Sequence, residues 1–117
     1  MKATVNDLLG KLPGKITARW PKGERFAVGM THGSMIVEVY APVGTDPQTP
    51  HDQDELYFIH SGTGTFRIGD VRHSFEPGAC FFVPAGVEHR FEQFTDDFAT
   101  WVVFWGPKGG EQRQAGE

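Results

Sequence analysis

Between Phe26 and Trp105 the chain is cut by glycine and proline into short segments, and this punctuation limits its possible folds more than any other feature. The segments 25–30, 34–40, 56–61, 64–68, 71–75, 79–83, 89–94 and 99–105 are rich in aromatic and β-branched residues, which suit a pleated, half-buried surface. Turn sequences separate them, among them Gly69-Asp70, Glu76-Pro77-Gly78 and Pro84-Ala85-Gly86. Strands this short at even spacing predict an all-β antiparallel barrel or sandwich. One short helix is expected over 4–12: Thr4 caps it, Asp7 follows three residues later, and Pro13-Gly14 stops it. Its apolar residues Val5, Leu8, Leu9 and Leu12 recur at helical spacing, so it is read as a packing element laid over the sheet. Residues 16–19 are a further strand candidate, followed by a turn at 20–23.

With 117 residues the chain makes one domain. A domain of this size buries ~65% of the surface its unfolded form exposes, so it needs neither disulfides nor a metal in order to fold. The barrel core is expected over about 34–106, and the glycine-rich, charged stretch 107–117 is expected to be an unpacked, flexible tail. A net charge of -4, with both signs interspersed, provides no basic stripe for nucleic acid and no polybasic segment for a membrane. Small neutral or anionic molecules are the natural partners. The single Cys80 forms no intrachain disulfide and is read as a small core residue. The first five residues lack a signal-peptide apolar core and no run approaches ~18 apolar residues, so the chain reads as soluble and cytoplasmic.

The chemistry gathers at His51, Glu55 and His89. Alternate residues of a strand share a face, so Glu55, Tyr57 and Ile59 point one way while Leu56, Phe58 and His60 point the other; His89, Phe91 and Gln93 also share a face. A carboxylate and an imidazole on the inward faces of facing strands would converge, and His51, four residues before Glu55, can fold back to join them. An unpaired carboxylate inside an apolar barrel shifts its pKa or draws in a cation. A divalent iron, manganese, nickel or zinc ion resolves the conflict, two imidazoles and a carboxylate being a suitable ligand set. Each residue also has a plainer reading. In that reading His51 is a solvated loop histidine, Glu55 pairs with Arg67 or Arg90, and His89 is a core histidine bonded to backbone. Tyr57 is either a phenolic acid or base above the metal or a packing residue with a satisfied hydroxyl. Gln48 and Gln93 are candidates to hydrogen-bond a ligand, or merely a neighbour.

The spacing of these residues resembles the two motifs of the cupins, small double-stranded β-helix barrels. The second motif is matched by Gly78, Pro84, Gly86 and His89, with Gln93 where an asparagine is usual. The first is matched by His51, Glu55 and Gly62, but Thr49 stands at the usual first histidine, and Gly44 has four rather than five residues between it and Thr49. The resemblance implies one divalent metal held by His51, Glu55 and His89, in a pocket lined by Gln48, Thr49, Tyr57 and Gln93, with Tyr57 as the catalytic candidate. It implies a metal-dependent enzyme acting on a small organic molecule, of dioxygenase, isomerase or lyase type. The alternative is a non-catalytic binding or sensing cupin with a structural or absent metal, which Thr49 and the lack of a clear acid/base pair favour. The runs 81–83 and 101–105 are apolar on both faces, which points to a second layer or a homodimer.

Overall fold

A computed structural model describes residues 1–112. Two antiparallel sheets face each other. The larger has the order β1 (Phe26–His32), β2 (Met35–Tyr40), β8 (Ala99–Trp105), β3 (Asp54–Ser61), β6 (Cys80–Val83). The smaller has the order β5 (Val71–Phe75), β4 (Gly64–Ile68), β7 (His89–Glu92). This is the jelly-roll form of the expected all-β barrel. Consecutive strands separated in the sheets, such as β3 and β4, are what close the two layers around one core.

The inward rows follow from strand parity. Glu38 pairs with Val102 and Val102 with Tyr57; Ile36 pairs with Phe104, Phe104 with Glu55 and Glu55 with Val83. On the smaller sheet, Phe66 pairs with Phe91 and Ile68 with His89. The apolar members of these rows form the main core, in which the Phe66 and Phe91 rings stack at 3.9 Å and Phe75 and Phe98 pack edge-on or tilted against Phe91. Gly62 lets the loop before β4 pass this core, because a Cβ there would lie 2.6 Å from the Phe98 Cα. The outer face of the larger sheet is covered at one end by α1 (Val5–Leu9), whose Val5 and Leu8 pack with Ala27 and Val39. Thr4 caps this helix by accepting from the Asp7 N–H, as the sequence predicts, but the helix ends at Leu9 rather than Leu12.

Three expectations differ from the structure. Residues 16–19 belong to no strand. They lie in a loop closed by Gly14 N–H to Glu24 O and Glu24 N–H to Lys15 O, which sets Trp20 edge-on against Tyr40. Residues 107–112 are tied down where an unpacked tail is expected: the Gly109 N–H donates to Asp52 O and the Glu111 N–H to Asp54 Oδ2, so a buried carboxylate holds the segment. The rest of the expected tail, 113–117, lies outside the described residues. Cys80 is exposed rather than in the core, because it shares the outward row of the larger sheet with Phe58.

Candidate metal centre

Glu55 and Tyr57 reach the barrel interior from β3 because both occupy inward positions, and both are almost fully buried. His89, the first residue of β7, faces them from the opposite sheet. The turn at 84–86 brings the third member in: Gly86, at φ 79, donates its N–H to His51 O over 2.8 Å and ties the loop before β3 to the loop before β7. One ligand atom from each of His51, Glu55 and His89 can be chosen so that all lie within 4.8 Å of one another. The spacing expected from sequence therefore converges in space. Glu55 pairs with neither arginine considered for it; Arg67 instead meets Glu88 and Glu92 on the outside.

The hydrogen bonds leave this cluster short of protons. The His89 Nδ1 stands 2.8 Å from Val87 O, and since a carbonyl only accepts, Nδ1 carries a proton. In the neutral ring Nε2 is then a lone pair, 2.9 Å from Glu55 Oε1. The neutral ring thus turns a lone pair on the carboxylate, and only a proton or a cation between the two makes this buried contact favourable. Tyr57 has one hydroxyl proton but two acceptors, Glu55 Oε2 at 3.1 Å and Gln48 Oε1 at 3.3 Å. The His51 Nε2 lies 3.3 Å from the same Gln48 oxygen, to which its N–H tautomer donates, and 3.9 Å from Glu55 Oε2. A buried group of lone pairs facing one another is costly unless a proton or a cation sits among them. The donor set, two imidazoles with oxygen donors, fits a divalent transition metal.

Electrostatics follow the same arrangement. Burial lowers the His51 pKa, which keeps the ring neutral and able to ligate. At His89 burial also pulls the pKa down, but the adjacent Glu55 carboxylate and the Val87 carbonyl push it up further, and the net shift is upward. Burial first, then the Glu55 charge, raises Tyr57 well above the usual phenol value, so it acts as a proton donor in hydrogen bonds rather than as a phenolate.

Two expected pocket residues are placed elsewhere. Thr49 is exposed and does not line the cavity, because the chain before β3 turns Gln48 inward and leaves its neighbour outward. Gln93 is exposed as well: β7 ends at Glu92, and Gln93 at φ 50 leaves the strand alternation that would have carried its side chain inward. Gln48 and Tyr57 do line a cavity of about 490 Å³ beside His51.

Three residues of this region were not singled out from the sequence. Asp46, 4% exposed, accepts from the Tyr40 hydroxyl and Gln48 N–H at one oxygen, and from Gln48 Nε2 and the Phe91 N–H at the other. Glu38 lines the cavity from β2, and burial together with the Glu55 charge raises its pKa to about 7. The signal for its inward position is the alternation Ile36, Glu38, Tyr40. Arg19 joins the wall from the loop before β1, a placement with no local signal.

The cupin domain family matches residues 36–105. An uncharacterized protein of Streptomyces coelicolor is 41% identical over 64 residues, which are 55% of this chain and 61% of that protein. A transcriptional activator of the helix-turn-helix type, RhaS of Mannheimia succiniciproducens, is 31% identical over 62 residues, 53% of this chain and 23% of the activator. The chain thus spans less than two thirds of either relative. Among solved structures, a cupin 2 conserved barrel domain protein from Rhodopseudomonas palustris superposes with a TM-score of 0.66 at 18% identity, over 82% of this chain and 70% of that one, a likeness of fold alone. No helix among the described residues is long and apolar enough to cross a membrane. With the family match spanning more than half its length and a jelly-roll barrel carrying the two-histidine, one-carboxylate group at its mouth, this chain belongs to the cupin family.

Proposed function

We propose that His51, Glu55 and His89 hold one divalent metal ion beside the cavity and that the protein acts there on a small organic molecule. The observation that carries this reading is the convergence of one ligand atom each from His51, Glu55 and His89 to within 4.8 Å of one another, with Glu55 and His89 buried. A bound dication supplies Lewis acidity toward a ligand oxygen, together with open positions that three protein ligands leave for it. The chain's own residues do the rest. Val87 fixes the His89 tautomer, Tyr57 donates its proton toward Glu55 or Gln48, and Glu38 is a carboxyl able to hold or release a proton at neutral pH on the cavity wall. A cavity of about 490 Å³ has the size of a small-molecule site. Reactions of dioxygenase, isomerase or lyase type all fit this set, with Tyr57 or Glu38 as the proton-carrying group.

A second reading is a sensing module that binds without turnover. It is favoured by the similarity to part of a transcriptional activator, in which the matched stretch makes up under a quarter of the length. On either reading we also propose a homodimer through the outer face of the larger sheet. There Phe58 and Phe82 are 43% and 50% exposed, and Leu56, Val103 and Val37 continue an uncharged row, so two copies can meet without like-charge repulsion.

The test is elemental analysis of untagged protein beside a His51→Ala/His89→Ala double variant, after reconstitution with iron, manganese, nickel or zinc. Near one equivalent in the wild type, lost in the folded double variant, is the expected result. No metal in either protein sinks the metal-dependent reading and leaves the sensing module.

A further inference from the structure

Within the cluster, one oxygen donor remains unassigned. The Gln48 amide has only one possible orientation, since its Nε2 lies 2.8 Å from Asp46 Oδ2 and a carboxylate can only accept. Its Oε1 is therefore turned toward the Tyr57 hydroxyl and the His51 ring, both of which also approach Glu55. Gln48 is 9% exposed, and the carboxylate that orients it is anchored in turn by the Tyr40 hydroxyl and the Phe91 N–H, from strands on opposite sheets. This oxygen is held more firmly than a pocket residue that only greets a passing ligand.

Resting on the metal-binding reading above, we propose that the Gln48 carboxamide oxygen is a fourth protein ligand of the metal, with Asp46 as the positioning residue that aims it. Donors around an ion at ~2.1 Å lie about 3.0–3.4 Å from one another in octahedral or tetrahedral arrangements. Gln48 Oε1 and His51 Nε2 are 3.3 Å apart, and His89 Nε2 and Glu55 Oε1 are 2.9 Å apart, so both pairs already have the spacing of neighbouring ligands. The surplus of acceptors has the same meaning. In the metal-free protein Gln48 Oε1 accepts from the His51 Nε2–H tautomer or from Tyr57; once an ion takes the Nε2 lone pair, only the Tyr57 proton remains, and Glu55 Oε2 competes for it. Thr49 cannot take this part, because its side chain faces solvent. A Gln48 ligand leaves fewer open positions than three ligands would, and makes the centre harder and more oxygen-rich, which shifts preference toward manganese or iron over zinc.

The experiment loads wild type, Gln48→Leu and Thr49→Ala with cobalt(II) and measures the metal affinity by chelator competition and the visible absorption of the bound ion. Gln48→Leu is expected to lose about 10–100-fold in affinity and to change the cobalt spectrum, while Thr49→Ala changes neither. An unchanged affinity and spectrum in Gln48→Leu overturns the proposal. Should that variant not fold, the wild type decides through the side-chain carboxamide resonances of Gln48 during a zinc titration. A shift complete at one equivalent supports ligation, and bound zinc without a shift refutes it. A wild type that takes up no metal removes the metal reading and this inference together, whereas metal binding that ignores Gln48 removes this inference alone.

Discussion

The two ends of the barrel are built by the same strands to opposite purposes. On β7 the inward residues are His89 and, two positions on, Phe91; on β3 they are Glu55 and Tyr57, then Ile59. Toward one end, Phe66, Phe75, Phe91 and Phe98 fill the interior with interlocking rings, and the one buried hydroxyl nearby, Thr100, is bonded to Phe58 O. Toward the other, His51, Glu55 and His89 face one another with more acceptors than protons. The aromatic end stabilises the fold by removing apolar surface from water, so the polar end is free to be locally unfavourable until something binds there. That difference separates a stability region from a functional one without any knowledge of a substrate.

The comparison breaks most sharply at Phe66. Phe66 is fully buried and stacked on Phe91. Phe66→Ala should therefore lower the free energy of unfolding by about 3–5 kcal/mol in chemical denaturation, since the site cannot collapse around the lost ring. Glu55→Gln, measured the same way in chelator-treated protein, should stay within about 1 kcal/mol of wild type, because it removes a buried charge but keeps an oxygen for Tyr57. Equal losses at the two positions would show that the ends are not divided in this way.

Glu38 sharpens the same contrast through pH. Its carboxyl titrates at about 7 in the folded protein against 4.5 for the ordinary group, owing first to burial and then to the Glu55 charge. Between these values the folded protein keeps a proton that the unfolded chain releases, so Glu38 subtracts stability as pH rises from 4.5 to 7 and adds no further slope above that. The effect amounts to at most ~3 kcal/mol, and less where water enters the cavity. Metal-free wild type should lose more stability than Glu38→Gln when moved from pH 5 to pH 8. Parallel curves for the two proteins would mean that Glu38 is solvated and ionises normally.

The smallest expected change concerns the outer face. Phe82 is half exposed and packs only loosely beside Trp105, with ring centroids 6.1 Å apart. Phe82→Ser should change the stability of the monomer by about 0.5 kcal/mol or less, yet lower the mass seen in sedimentation equilibrium from dimer to monomer. A wild type that sediments as a monomer at all concentrations rules out the proposed pairing.

Much of this architecture was legible in the residues alone. The turns at 69–70, 76–78 and 84–86 separate strands as expected, and the alternation in β3 correctly divides Glu55, Tyr57 and Ile59 from Leu56, Phe58 and His60. Strand parity is a local property of the backbone, so it survives whatever the rest of the chain does. The convergence of His51, Glu55 and His89 was legible through motif spacing, because glycine turns leave few ways of joining two short strands.

Loops obey no such parity, and there the tertiary structure decided. Whether Gln48 or Thr49 faces the cavity depends on Asp46, whose oxygens bond Phe91 of a strand 45 residues away. The alternation that predicts Gln93 inward stops at Glu92, the end of β7, and φ turns positive at Gln93 itself. Glu38 became a neutral-pH carboxyl only when β8 and β3 closed the wall beside it and removed its water. The sequence alone determined which residues can share a face, since that is set by backbone geometry one residue at a time. Only the folded molecule determined which of those faces is buried among acceptors without protons, since desolvation and long-range hydrogen bonds belong to no single segment.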